Sequence, residues 1–381
     1  MLKSIRRAGL MPPVVLVLLM SCGATFARPH VDAALAADRA AAVDAAVLGE
    51  LRRQDAVGVA IGVIENGRIV YVKGYGLADR EHALPVTTET MFRWASVSKP
   101  LTAVAAMQLV QSGKLDLDAD VRRYVPEFPD KGARITMREL LDHQGGIVHY
   151  ENGEVIRTKK AYAQPHPFVD PVVALDTFKE SPLVNAPGEK YSYSSYGYIL
   201  ASAVVQRAGG QPYVAQVGAR ISGPLALTSL QPDYPWAVIA HRAVGYVREH
   251  GAITRSSDTD VSWKLGAGGF ISDIRDFAGF AAALLNHRLV SAQIEAQMWQ
   301  PQNLRDGEKT DRGLGFEVDR KGGRLRVSHS GAQEKTRTRL VIYPESGLGA
   351  VVMTNSEWAD PGSFSTVVFS ALQSPATHAG E

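Results

Sequence analysis

Ser96 and Lys99 stand three positions apart in Trp94-Ala95-Ser96-Val97-Ser98-Lys99-Pro100, ahead of Leu101, Val104, Ala105 and Leu109, which repeat with helical period. That spacing puts both side chains on one helix face, so a hydroxyl and an amine can share a cleft. A serine hydroxyl attacks a carbonyl only when a base takes its proton. A lysine becomes that base once burial or a nearby cation lowers its pKa. The free amides of a first helical turn can in addition stabilise an oxyanion. The pair therefore points to acyl transfer through Ser96. Alone the spacing is weak, because a chain of this length holds roughly one Ser-x-x-Lys by chance. A capping serine beside a solvated lysine is the plain alternative.

The elements that must hold this stretch can be read on both sides of it. Val43, Val47 and Leu51 mark an amphipathic helix within residues 30–54. Residues 57–64 and 68–72 are β-branched runs around Asn66-Gly67, a hairpin signal. Gly113-Lys114-Leu115 ends the helix that follows Ser96. Thr136-Met137-Arg138-Glu139 is a capping box for a short helix through Leu141. Residues 148–187 read as loop, and residues 198–208 as a helix stopped by Gly209-Gly210. Gly266-Ala267-Gly268-Gly269 leads to Ser272, a plausible N-cap for a helix burying Ile274, Phe277, Ala281 and Leu284. Strands are predicted over 314–318, 324–328, 337–343 and 348–355, then a last helix through Phe364, Val367, Val368 and Leu372. Sheet at both ends with helices between implies one α/β domain, 57–115 plus 262–375. It would enclose a helical insertion, 116–261, with a linker and helix at 28–56 and a tail at 376–381.

Composition narrows the partners. Charged residues make up 21% and hydrophobic residues 45%, ordinary for a globular protein with a substantial core. The formal charge of +2 becomes about −1 without Lys3, Arg6 and Arg7, so no nucleic-acid surface is implied. Residues 1–27 read as an export signal: a basic start, an apolar stretch from Val14 to Met20, then Thr25-Phe26-Ala27. A periplasmic or secreted protein is expected. Leu19-Met20-Ser21-Cys22 also resembles a lipoprotein processing site, and export or that lipid is the only membrane connection. Cys22 is the single cysteine, which excludes a disulfide framework and a cysteine metal site. Nothing in the sequence sets an oligomeric state.

Two further stretches follow Ser96-x-x-Lys99 in order. They are Pro187-Gly188-Glu189-Lys190-Tyr191-Ser192-Tyr193-Ser194-Ser195-Tyr196-Gly197-Tyr198 and His329-Ser330-Gly331. Together the three resemble the motifs of the penicillin-recognising serine hydrolases, Ser-x-x-Lys, Tyr-x-Asn and Lys/His-Thr/Ser-Gly. Gly313-Leu314-Gly315-Phe316 and Tyr343-Pro344-Glu345 resemble the class C β-lactamase-like branch. Residues 193–198 and Gly146-Ile147-Val148-His149-Tyr150 look most like the mitochondrial serine β-lactamase-like peptidases and their bacterial relatives. The resemblance implies a β-lactamase/transpeptidase-like α/β (α+β) fold, an antiparallel sheet flanked by helices beside an inserted all-helical domain. It makes Ser96 the nucleophile, Lys99 its proton acceptor and Tyr193 the second acid/base, with His329 opening the third motif. The oxyanion hole would be the backbone amides of Ser96 and Ala332, with Ser195, Ser330 and Gly331 against substrate. No metal or organic cofactor is called for.

Two positions depart from the pattern. Ser195 replaces the asparagine and reaches less far than an amide. His329 replaces lysine, so its grip on a carboxylate should be weak and pH-dependent. Tyr191, Tyr196 and Tyr198 read as packing groups, and His143 and His149 as structural. Lys335, Arg337 and Arg339 suit an acidic substrate end or a solvated face equally well. The leading expectation is an exported serine hydrolase forming an acyl-enzyme on small peptides or esters. A true β-lactamase and a catalytically silent binding protein are the alternatives.

Overall fold

The computed structural model describes residues 28–373. The export-signal segment, Cys22 and the tail lie outside the described residues. α1 (Ala37–Gln54) buries Val43 and Val47 on one stripe, as their spacing predicts. β1 (Gly58–Glu65) and β2 (Arg68–Asp79) form the expected hairpin, with Asn66 at φ 51° and Gly67 at φ 71°. β2 runs on past residue 72 because it keeps pairing with β1 and then with β3 (Leu84–Pro85). β4 (Phe92–Arg93) leads through a 3-10 turn, Ala95–Val97, into α2 (Ser98–Gln111). Buried all round over most of its length, α2 is the central helix of the molecule.

The segment 116–261 holds α3 (Met137–Leu141), opened by the expected capping box, and α4 (Pro171–Ala174), the one α-helical turn in the predicted loop. α5 (Ser195–Gly209) starts earlier than predicted because Ser194 caps it, its Oγ accepting from Gly197 N at 2.9 Å; Gly210 ends it at φ 69°. α6 (Tyr213–Val217) follows. The segment is not all-helical, since it also carries β5 (Gln231–Pro232), β6 (Tyr246–Glu249) and β7 (Ala252–Arg255). His250 at φ 49° and Gly251 at φ 82° close the β6–β7 ribbon as Asn66-Gly67 closes its hairpin, with histidine where asparagine gives the usual signal.

α7 (Leu265–Gly268), β8 (Phe270–Ser272), α8 (Ile274–Leu285) and α9 (Ala292–Met298) come next. Ser272 is not the cap of α8. Asp273 is, its carboxylate accepting from Asp276 N at 3.0 Å, while Ser272 Oγ is taken by Trp94 Nε1 at 2.7 Å. β9 (Glu317–Lys321) begins later than predicted, because Leu314 and Phe316 are buried in the preceding loop. β10 (Arg324–Gln333), β11 (Thr336–Tyr343), β12 (Leu348–Thr354) and α10 (Pro361–Gln373) complete the chain.

The main sheet runs β3-β2-β1-β12-β11-β10-β9, antiparallel throughout, with the two ends of the chain joined where Ile61 faces Val352. β1 is buried on both faces. Val59, Ile61 and Val63 pack with Val43, Val47, Phe364 and Val368 of α1 and α10. Ala60 and Ile64 join the main core with Phe277 and Ala281 of α8. β10 outruns β9, which pairs with it only as far as Ser328. Residues 329–333 therefore form a sheet edge, and this edge lies against the turn that carries Ser96.

Candidate functional site

The turn before α2 is built under constraint. Arg93 is buried against Asp233 at 2.5 Å, and Trp94 N donates to Phe270 O at 2.8 Å. Ala95 then adopts φ 49°, a left-handed conformation costly for a residue with a Cβ. This tight reversal is why Ser96 lies in the 3-10 turn and not on the helix proper, and it leaves Ser96 part-exposed between buried neighbours.

Lys99 is fully buried, and its Nζ lies 3.2 Å from Ser96 Oγ, 3.2 Å from Ser195 Oγ and 2.9 Å from Ala267 O. Burial drives its pKa well below the ordinary lysine value, with a smaller push from the Lys264 charge. A neutral amine beside a hydroxyl can take its proton. The rings of Tyr193 and Tyr198 lie 4.8 and 5.6 Å from Nζ. Burial raises the Tyr193 phenol far above its usual value, and Ser96, its hydrogen-bonding neighbour, offsets part of this. Lysine pushed down and tyrosine pushed up is the pattern of a base paired with an acid.

Three histidines surround the pair. Ser194 N donates to His143 Nδ1 at 3.1 Å and Ser195 N to His149 Nδ1 at 3.2 Å. The two imidazoles also flank Tyr193, at ring separations of 4.3 and 5.4 Å. Their structural role is thus to fix the start of α5. His329 Nδ1 lies 2.7 Å from Ser330 O. A carbonyl only accepts, so Nδ1 carries the proton and Nε2 is left as an acceptor in the neutral ring.

Burial lowers all three: His143 well below the usual value, His149 and His329 to about 4. In the unfolded chain such rings bind protons near pH 6.5. The unfolded state therefore holds more protons between those values, and stability falls as the solution is acidified through that window. Lys99, pushed down in the folded state, adds a slope of the same sign at higher pH, while Asp142 and Glu295, raised by burial to about 8 and about 7, oppose it. The histidine share is therefore read from the change in urea midpoint between pH 7 and pH 5 in parent and variant. A His149→Asn variant, whose side-chain oxygen accepts the same N–H, should lose part of that slope.

Ser96, Tyr193, His329, Ser330 and Ala332 line one cavity of about 290 Å³, closed by Leu141, Tyr191, Phe316 and Arg312. Ser195 and Gly331 stand behind this wall. Tyr191 is not a packing group: it lines the cavity with Arg312 4.8 Å from its ring. Tyr196 and Tyr198 are buried as expected, and Tyr198 Oη donates to Leu141 O at 2.6 Å. Arg339 donates to Glu317 at 3.0 Å, Ser328 at 2.9 Å and Ser330. Lys335 pairs with Asp258, and Arg337 donates to Gln333 O and Thr336 O at 2.8 Å. These three cations are occupied by the protein itself. Arg312 and Glu317, 3.3 Å apart at the cavity wall, were not legible as site residues in the sequence.

With the geometry in place, comparison with known proteins decides the lineage. The profile of the Beta-lactamase family matches residues 32–364. The chain belongs to the Beta-lactamase family. It is 31% identical over 293 residues to the mitochondrial serine beta-lactamase-like protein LACTB of Homo sapiens, covering 60% of this chain and 53% of that protein. It is 36% identical over 201 residues to esterase EstB of Burkholderia gladioli, covering 50% of this chain and 51% of the esterase. The chain spans about half the length of these curated relatives. Among solved structures, EstCE1, a hydrolase with promiscuous acyltransferase activity, gives a TM-score of 0.74 at 20% identity over 88% of this chain and 99% of that one. The D-amino acid amidase of Ochrobactrum anthropi SV3 gives 0.71 at 24% identity over 87% and 98%. At such identities the likeness shows the fold.

Membership of the Beta-lactamase family is what these comparisons establish for the protein. Its three motifs come from a turn, a helix start and a sheet edge far apart in sequence, and the family fold brings them together. Gly331 is the tightest point of that assembly. A Cβ there would meet Thr338 Oγ1, would come within 2.6 Å of Trp94 O and would touch Ala95. Gly331→Ala should therefore displace the Ser96 turn, costing roughly 1–3 kcal/mol. Calorimetry should show a lower Tm, with hydrolase activity falling alongside it.

Proposed function

We propose that the protein hydrolyses small ester or amide bonds through an acyl-enzyme on Ser96. The observation that carries this is the buried Lys99 amine 3.2 Å from the Ser96 hydroxyl, with no carboxylate paired to it among the described residues. Lys99 takes the Ser96 proton as the hydroxyl attacks the carbonyl. The backbone amides of Ser96 and Ala332 receive the oxyanion. Tyr193, kept protonated by burial, gives its proton to the leaving group, and the same pair then serves water in deacylation. Ser195, Ser330 and Gly331 hold substrate and site in register.

The cavity favours a compact, uncharged acyl group. Leu141, Tyr191 and Phe316 supply apolar walls, Arg312 and Glu317 pair with each other, and His329 carries no charge at neutral pH. A neutral His329 offers little hold on the carboxylate of a β-lactam, so penicillins should acylate slowly. Relatives named as an esterase and an amidase support ester and amide bonds. Residues 1–27 make export part of the reading, with the site working in the periplasm or outside the cell. A panel of p-nitrophenyl esters, D- and L-amino acid amides, D-alanyl peptides and a chromogenic cephalosporin tests it. Short esters or amides should give the highest kcat/KM. Fast cephalosporin turnover would make it a β-lactamase, and adduct formation without turnover on any substrate would make it a binding protein.

A further inference from the structure

Residues 234–240, Tyr-Pro-Trp-Ala-Val-Ile-Ala, form an uncharged loop that the core does not take up. Val238 is fully exposed and Trp236 is 44% exposed. Apolar side chains grouped at one projection, unlike single scattered ones, mark a contact site. The loop is held at both ends. At its start Asp233 N donates to Gly269 O at 2.8 Å, and the Asp233 carboxylate is gripped by Arg93 and Arg242. At its end Met91 N donates to His241 O at 2.9 Å, and Ala243 N to Met91 O at 3.0 Å. Tyr234 and His166 stack on Trp236, with centroids 4.9 and 3.5 Å away and planes within 9° and 15°. The faces of the indole are thus used within the protein and offer no platform for a flat ligand.

The segment that brings His166 to this stack supplies charge of one sign. Residues 155–169 carry Arg157, Lys159 and Lys160 and no carboxylate, and all three cations are exposed. Arg157 and Lys159 make no ion pair among the described residues, and Lys160 approaches Asp176 only to 3.9 Å. We propose that residues 234–240, together with the cations of the segment stacked on them, dock the protein on an anionic lipid surface. The apolar tip enters the interface, and Arg157, Lys159 and Lys160 meet the headgroups. A stable protein interface takes about 20–30 residues a side, far more than this tip offers. Tryptophan, tyrosine and aliphatic carbon flanked by lysines suit the depth of a bilayer interface instead. Neither the few apolar residues nor the three cations would hold alone, and together they give reversible binding. Such docking is separate from any lipid on Cys22 and from the acyl-enzyme chemistry. It would also orient the cleft, because the turn Pro167–Val169 packs on Ser262–Lys264, whose Trp263 lies 6.2 Å from Tyr150.

Cys22 is the single cysteine, so in a Cys22→Ser background Val238→Cys places one thiol at the tip for an environment-sensitive fluorescent label. Lys114→Cys, at another exposed position, carries the control label. Each labelled full chain is mixed with vesicles of equal phosphatidylglycerol and phosphatidylcholine, and with vesicles of phosphatidylcholine alone. The label reports its own position, so lipid contact made elsewhere on the chain does not imitate the result. On the anionic vesicles the tip label should brighten and shift to the blue, while the control label stays as in buffer. Lys159→Gln and Lys160→Gln should each raise the lipid concentration at half effect about fivefold, with Tm unchanged because both side chains are exposed. A tip label that ignores lipid, or that responds equally to neutral vesicles and in the lysine variants, would overturn the proposal. So would a blue shift that grows with protein concentration in the absence of lipid, which would put a second copy on the tip.

Discussion

Lys99→Met should slow acylation of Ser96 by about a thousandfold while Tm holds or rises, a pairing that separates chemistry from structure. The loss follows from removing the amine that is hydrogen-bonded to the Ser96 hydroxyl. Tyr193 is held protonated, and His329, whose Nε2 is open, makes no hydrogen bond to Ser96. General-base catalysis contributes about 10²–10⁴, and the buried, pre-aligned amine places Lys99 within that range. The stability follows from the same burial. Lys99 is kept out of water with no carboxylate paired to it among the described residues, where a side chain of similar volume and no charge is at no disadvantage. Met leaves Ala267 O without its donor, a cost of about 1 kcal/mol that offsets part of the gain. Stopped-flow labelling with a fluorophosphonate, beside calorimetry, measures both. A variant acylating within tenfold of the parent would remove Lys99 from the mechanism.

Tyr193→Phe should have an effect that depends on the leaving group. A phenol held protonated is an acid at neutral pH, so its task is to protonate what departs. An amide nitrogen cannot leave without a proton, whereas p-nitrophenolate leaves unaided. The loss should be about 10²–10³ for an anilide and less than tenfold in acylation by a p-nitrophenyl ester. The ring itself is retained between His143 and His149, so α5 should keep its start. Burst kinetics on the ester would show whether deacylation slows as well. A uniform loss on both substrates would mean that Tyr193 acts on Ser96 alone and not on the leaving group.

How much of this could be read beforehand differs residue by residue. Ser96 and Lys99 were visible because three-residue spacing is a local fact, and Tyr193 and His329 because their motifs occur in the expected order. The Asn66-Gly67 hairpin and the Gly210 helix stop were visible for the same reason, since turn chemistry is set by neighbours. What escaped depends on contacts between distant residues. Ser272 and Asp273 are both competent caps, and only Trp94, brought from far upstream, takes Ser272 out of contention. His143 and His149 carried no ligand-like spacing because their partners are backbone amides of residues 194 and 195. Arg312 and Glu317 look like surface charges until the loop into β9 and the first residue of that strand place them at the cavity wall. His250-Gly251 closes a ribbon with an unusual first residue, which hid β6 and β7 inside a segment that otherwise reads as helices and loops.

Catalysis here depends on one hydroxyl being activated by one amine. Intact-mass analysis and peptide mapping after brief exposure to a fluorophosphonate test this most directly, across pH 5 to 9, for the parent, Ser96→Ala and Lys99→Met. The parent should gain a single adduct located to Ser96, fast at a lower pH than an ordinary lysine base would allow because burial pushes the Lys99 amine down. Ser96→Ala should gain none, and Lys99→Met should gain it only slowly. An adduct on another serine, or labelling of Ser96 that is equally fast without Lys99, would contradict the mechanism.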